Sequence, residues 1–267
     1  MKEIFDVKRF GKYFVYDLNN AYANYGLSAL ILGFLPLVFY AVSQILSLIS
    51  RGDGALIPAS AYASLPIIVR LVVCWSSGAK IWGGVTDRRK GTEWITIPAS
   101  PMEKTLSLLL ISCVVLPLVI FALMALSNWI LTFLVPGFTS VLPFNGMVKA
   151  FDSDVWPEGN YINAPLIFWL NWCQNILFFI LGALCFKKGK VGKTFLCLMG
   201  VGFLVSILMM LFFHTTSLDG ETLERFFESF DARKAQTWIN VFLNLVYLVT
   251  VGGLIALIWA RIKTIKA

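Results

Sequence analysis

Two groups of polar side chains interrupt an otherwise apolar chain, and they define the chemistry open to it. The first runs from Asp87 to Glu93, where Arg88, Arg89 and Lys90 precede Gly91, Thr92 and Glu93. Three adjacent cations beside a Gly-Thr turn suit contact with another protein. An ordinary charged loop would hold the same residues. The second group lies inside apolar runs: Gln44, Arg70, Asn171, Gln174, Asn175, Asn240 and Asn244. Asn171 and Asn175 share a helix face at i,i+4, as do Asn240 and Asn244. These residues suggest a polar belt in the outer half of a helical bundle, with Arg70 as its only charge. One reading makes the belt a cavity or exit path in which Arg70 attracts an anionic group. The other makes it interhelical hydrogen bonding, with Arg70 snorkelling to the nearer interface.

Other chemistry is not encoded. The sequence has no paired carboxylates within its apolar runs, no HExxH and no GxSxG, so hydrolase or protease chemistry lacks residues to carry it. All 15 acidic residues fall outside the apolar runs, and the single histidine, His214, ends one of them. Proton coupling, which uses intramembrane acids and histidines, is therefore poorly supported. Lys188–Thr194 (KGKVGKT) imitates the end of a phosphate-binding loop, but Lys187 stands where its first glycine belongs and no strand precedes it. Cys74, Cys113, Cys173, Cys185 and Cys197 form no CxxC pair and read as packing residues rather than disulfides or a zinc site. No catalytic group, cofactor or metal is expected.

The elements that hold these residues follow from composition. Of 267 residues, 58% are hydrophobic and 14% charged, against about 45–50% apolar and about 25% charged in soluble domains. The apolar residues cluster into six runs, at about 27–50, 62–82, 105–127, 164–186, 194–214 and 237–260. Each is long enough for a bilayer, which needs roughly 20 residues. The expected fold is an all-α integral membrane protein of six transmembrane helices, one domain over 1–267.

Charge orients it. Sixteen Lys and Arg lie in the N-terminal segment, the loops near 80–104 and 187–193, and the tail, whereas five lie in the opposite loops. By the positive-inside rule both termini are cytoplasmic. The net charge of +7 reflects topology and anionic membrane lipids; no nucleic acid is expected. Trp82 and Trp259 at inner ends, with Trp129 and Trp238 at outer ends, suit an interfacial belt. No short apolar core with a cleavage site opens the chain, so no cleaved signal peptide is expected.

Phe10, Phe14, Leu18 and Tyr22 repeat every four residues within 1–26, predicting an amphipathic helix in the inner interface. Pro36 and Pro117 predict bent helices, and the long third run predicts tilt, protrusion or a break near Asn128. Ser100-Pro101-Met102-Glu103 is a capping box with proline at the first helical position. On the other side, 136–163 reads as a turn-rich loop. Leu223, Phe226, Phe227 and Phe230 predict a short surface helix.

The loop between the second and third runs resembles the cytoplasmic segment of ABC-2 type permeases, the membrane subunits of ABC transporters. There a basic run, Gly-Thr, an apolar stretch, Pro-x-Ser and a later Lys join the same two helices. The matching positions are Arg88, Arg89, Lys90, Gly91, Thr92, Pro98, Ser100 and Lys104. The family is also similar in its six spans, inside termini, interfacial N-terminal helix and short helices between the last two spans. The resemblance implies a permease of the cell (inner) membrane, working as a homodimer or paired permease with a separate cytoplasmic ABC ATPase subunit. Arg88, Arg89, Gly91, Thr92 and Glu93 would form the ATPase contact. A non-transporting membrane scaffold or assembly factor would need the same spans but no ATPase.

Overall fold

The structure is a computed structural model that describes residues 5–49, 59–134, 164–215 and 232–265. Every regular element among them is helical: α1 Val7–Gly33, α2 Leu35–Ile49, α3 Ala59–Ser77, α4 Arg88–Thr96, α5 Pro101–Leu110, α6 Leu116–Leu134, α7 Ala164–Cys185, α8 Lys190–Thr215 and α9 Ala232–Thr264. A π turn at Gly78–Trp82 and a 3-10 turn at Gly83–Thr86 extend α3, and a π turn at Ile111–Val115 joins α5 to α6. Five helical stretches are long and apolar enough to cross a membrane: Ser64–Thr86, Pro101–Leu134, Leu166–Cys185, Lys190–Leu208 and Asn240–Thr264. The pair α1–α2, bent by 48°, makes a sixth if it counts as one span. This is a multi-pass membrane protein. The expected loop at 136–163 and the expected helix around 219–230 lie outside the described residues.

The buried helix is α7. Trp172, Ile176, Leu177, Ile180 and Leu184 line its length with almost no exposure, and α3, α8 and α9 pack around it. The π turn after α3 approaches it closely. A β-carbon at Gly78 would sit 2.9 Å from the backbone carbon of Phe179, so only glycine admits this approach. By contrast α8 packs mainly on α7 and leaves Leu196, Met199, Phe203, Leu204 and Leu208 exposed. So wide an apolar surface is a liability in water and is what hydrocarbon requires.

Three sequence expectations change. First, α1 is unbroken across residue 26, where the interfacial helix was expected to give way to a span. Asp6 starts it by accepting from the Lys8 amide at 2.9 Å. It ends only at Gly33, where Pro36 lacks the N–H that would continue the ladder and the bend follows. Its buried stripe is Tyr13, Asp17, Ala21, Tyr25, Ala29 and Gly33, one residue around from the aromatic stripe read in the sequence. Second, of the tilt, protrusion or break expected of the third run, the break does not occur: α6 runs unbroken through Asn128. The irregularity is the π turn just before Pro117, which accommodates the proline's missing donor and its ring. Third, Trp82 is not interfacial. It is 2% exposed, and its indole donates to Ser112 Oγ at 3.1 Å. Trp129, Trp238 and Trp259 are exposed.

Candidate functional site: a clamped helix at the basic end of the bundle

The segments expected on one side of the membrane meet at one end of the bundle. Arg9 near the start of α1 reaches Glu103, Lys190 at the start of α8 reaches Asp87, and Arg261 near the end of α9 reaches the Leu184 carbonyl at 3.3 Å. At this end the run expected as charged loop and turn is instead a helix. Gly91 and Thr92 lie inside α4, and the positive-φ glycine among the described residues is Gly189 (φ 63°) in the α7–α8 turn.

Glycine at 91 is required by proximity rather than by turn geometry. A β-carbon there would stand 2.5 Å from the Val85 carbonyl oxygen. This lets α4 lie directly on the 3-10 turn. Asp87 occupies the N-cap position of α4, yet its side chain makes no cap bond. Its carboxylate instead accepts from Lys190 Nζ at 3.0 Å, and the same ammonium donates to the Gly83 carbonyl. Thr86 Oγ1 donates to the carbonyls of Gly83 (3.1 Å) and Ala183 (3.3 Å), so the turn before α4 is bound to α7 and α8.

The other end of α4 is held as firmly. Trp94 Nε1 donates to Tyr13 Oη at 3.1 Å, linking α4 to α1. Lys104 Nζ donates to the Trp94 carbonyl at 2.9 Å and lies 4.2 Å from the centre of its indole ring, linking α4 to α5. Lys104 is buried, and this pairing of a cation with a π face and a carbonyl supplies what water would.

Beside it, Glu103 closes the capping box expected from the sequence. Its Oε2 accepts from the Ser100 amide at 2.8 Å while Ser100 Oγ accepts from the Glu103 amide at 3.2 Å. The same carboxylate also accepts from the Asp6 amide at 3.0 Å and from Arg9 Nε and Nη2 at 2.6–3.1 Å. One buried carboxylate therefore closes the starts of both α1 and α5.

The sequence reading missed Asp17. It is 1% exposed, accepts from Ser107 Oγ at 2.7 Å through Oδ2, and leaves Oδ1 without a partner among the described residues. Its signal was its place at i+4 from Tyr13 and i−4 from Ala21 on one helix stripe. Its carboxylate lies between α1 and α5.

Of the predicted contact residues, Thr92 and Glu93 are exposed, Gly91 is buried on the face of α4 that meets Val85, and Arg88 and Arg89 open its first turn. Two clefts flank the helix. One, of about 350 Å³, lies between α1 and α4 and includes Asn20, Lys80, Asp87, Glu93 and Lys190. The other, of about 390 Å³, lies towards the end of α9 and includes Thr86, Thr92, Lys187 and Arg261. The arrangement presents a short polar helix, with a hollow on each side, fastened to four membrane helices.

The polar belt assembles only in part. Arg70 Nη2 donates to Asn171 Oδ1 at 2.7 Å, and Asn175 Nδ2 donates to the same oxygen at 3.1 Å. Asn171 Nδ2 donates to Tyr247 Oη at 3.1 Å, a partner absent from the sequence reading. Asn244 bonds back to Asn240 on α9 at 2.9 Å, which is a local pairing. Among the described residues no hydrogen bond joins Gln44, on α2, to this cluster. No grouping of His, Cys, Asp or Glu among the described residues could hold a metal ion. Comparison of the chain with protein-family models, curated proteins and solved structures finds no match.

Proposed function

We propose that the chain is the membrane-spanning permease subunit of an ABC transporter of the ABC-2 type. It would be an exporter of the cell membrane, driven by a separate cytoplasmic ATPase and acting as a homodimer or paired permease. The basic end of the bundle, with both chain ends, faces the cytoplasm in this reading. The chain supplies the path and the ATPase supplies hydrolysis.

The observation that carries the proposal is α4. Arg88, Arg89 and Lys90 fill its first turn, where the helix dipole disfavours cations, and the N-cap carboxylate, Asp87, is committed to Lys190. Such a placement weakens the helix and is explained by a function outside it. An acidic partner surface across the end of the bundle would suit three cations placed there. Because α4 is tied to α1, α5, α7 and α8, a push on it reaches the spans directly. A scaffold needs an anchored surface but no mechanical connection to four spanning helices.

The test is recovery of the partner. Tagged protein, cross-linked in native membranes, is expected to bring down an ATPase bearing a phosphate-binding loop. Arg88→Glu with Arg89→Glu is expected to cut that recovery about tenfold, equivalent to about 1.4 kcal/mol, with membrane abundance unchanged. Recovery of no ATPase, or recovery indifferent to the double reversal, leaves the scaffold or assembly-factor reading in its place.

A further inference from the structure

The cluster around Arg70 has a direction to its hydrogen bonding. Asn171 Oδ1 is spent on accepting from Arg70 and Asn175, and Asn171 Nδ2 gives one of its two N–H groups to Tyr247 Oη. Tyr247 is therefore an acceptor towards Asn171 and keeps its own proton to give elsewhere. Arg70 carries five N–H donors, and its Nε is buried without an acceptor among the described residues. Phe168 lies against the guanidinium, 5.1 Å from ring centre to Cζ. Among the described residues no carboxylate pairs with Arg70. What remains is a cation whose Nε is unmatched and a hydroxyl whose proton meets no acceptor among the described residues.

Its position selects the kind of anion. Arg70 is six residues into the candidate span that opens at Ser64, roughly 9 Å along the helix axis. Ile67 on α3, Leu166 on α7 and Leu248 on α9 are exposed apolar residues on the three helices that form the cluster. A small hydrated anion would have to shed its water to reach this depth. A phosphate group carried on acyl chains arrives with its apolar part already matched to those faces.

We propose that Arg70, with Tyr247 beside it and Asn171 as its positioning residue, binds the phosphate of an anionic amphiphile that enters sideways from the bilayer. An anionic phospholipid supplies this chemistry, and free phosphate shares its headgroup. The site does not rest on the ATPase reading: it would serve a permease or a scaffold equally, and either proposal can fail alone.

The experiment titrates the full chain, purified in detergent, with dioleoyl phosphatidylglycerol and counts bound lipid by native mass spectrometry. Wild type is expected to bind it at least about tenfold more tightly than dioleoyl phosphatidylcholine, whose headgroup is zwitterionic. Arg70→Gln is expected to weaken phosphatidylglycerol binding about tenfold or more, because a charge-assisted contact is lost. Asn171→Asp is the sharper variant. It places a carboxylate 2.7 Å from Arg70, satisfies the guanidinium internally, and is expected to abolish lipid binding while raising thermal stability. It also carries the test if Arg70→Gln fails to fold. Inorganic phosphate at millimolar concentration is expected not to displace the lipid. Displacement by inorganic phosphate, equal affinity for phosphatidylcholine, or unchanged binding in Asn171→Asp would each overturn the proposal.

Discussion

Glu103→Ala is expected to lower the stability of the bundle by about 3 kcal/mol, roughly 1 from the lost cap and 2 from the charged hydrogen bonds. The side chain is 0% exposed, and its two oxygens accept from two backbone amides and one guanidinium. Removing it orphans a donor at the start of α1 and another at the start of α5 together. Glu103→Gln keeps the shape and one carbonyl oxygen but loses the charge, so about half the loss is expected. Unfolding of detergent-purified protein, followed by circular dichroism against temperature or added denaturing detergent, measures both. Arg9→Gln combined with Glu103→Gln is expected to be less damaging than the two single losses added, because the partners are removed as a pair. Additive losses, or a Glu103→Ala protein as stable as wild type, would show that α1 is held by apolar packing alone.

Glu103 also marks what local sequence can and cannot tell. Ser100-x-x-Glu103 is four residues long, and the cap it predicts is present because both groups are fixed by the same turn of helix. The Arg9 contact spans 94 residues, and no local pattern specifies it. The spans were legible for a similar reason. Bilayer thickness sets run length and lysines mark the ends, so five of the six runs sit close to apolar helices of the structure. The first differed because its helix starts twenty residues early, at Val7, where polar and aromatic residues hide a stripe that tertiary packing selects. The Asn171–Asn175 pair followed from a period of four, but Tyr247, its partner across the bundle, needed three-dimensional contact. In α4, Gly-Thr reads as a turn on propensity. The close carbonyl of Val85 makes the glycine a packing requirement within a helix instead.

Gly91→Ala is therefore expected to detach α4 while the spans stay folded. Alanine raises helix propensity by about 1 kcal/mol at an exposed helical site, so a gain in stability would follow if Gly91 were free of contacts. It is not free: the new methyl would lie 2.5 Å from the Val85 oxygen, which belongs to backbone and has no rotamer to escape into. Relief requires α4 to lift from the 3-10 turn, and lifting strains the Lys190–Asp87 bond at one end and the Trp94–Tyr13 bond at the other. A local cost of about 2 kcal/mol corresponds to amide exchange across 88–96 faster by about thirtyfold, read by hydrogen–deuterium mass spectrometry. The global unfolding transition is expected to move little, since α7 and its neighbours make no use of the Gly91 contact. Under the permease reading the same substitution uncouples: the ATPase still binds, because Arg88, Arg89, Thr92 and Glu93 remain, but transport falls while ATP hydrolysis persists. Protection of 88–96 equal to wild type would show that the turn yields instead of the helix, and α4 would then be a rigid part of the membrane bundle.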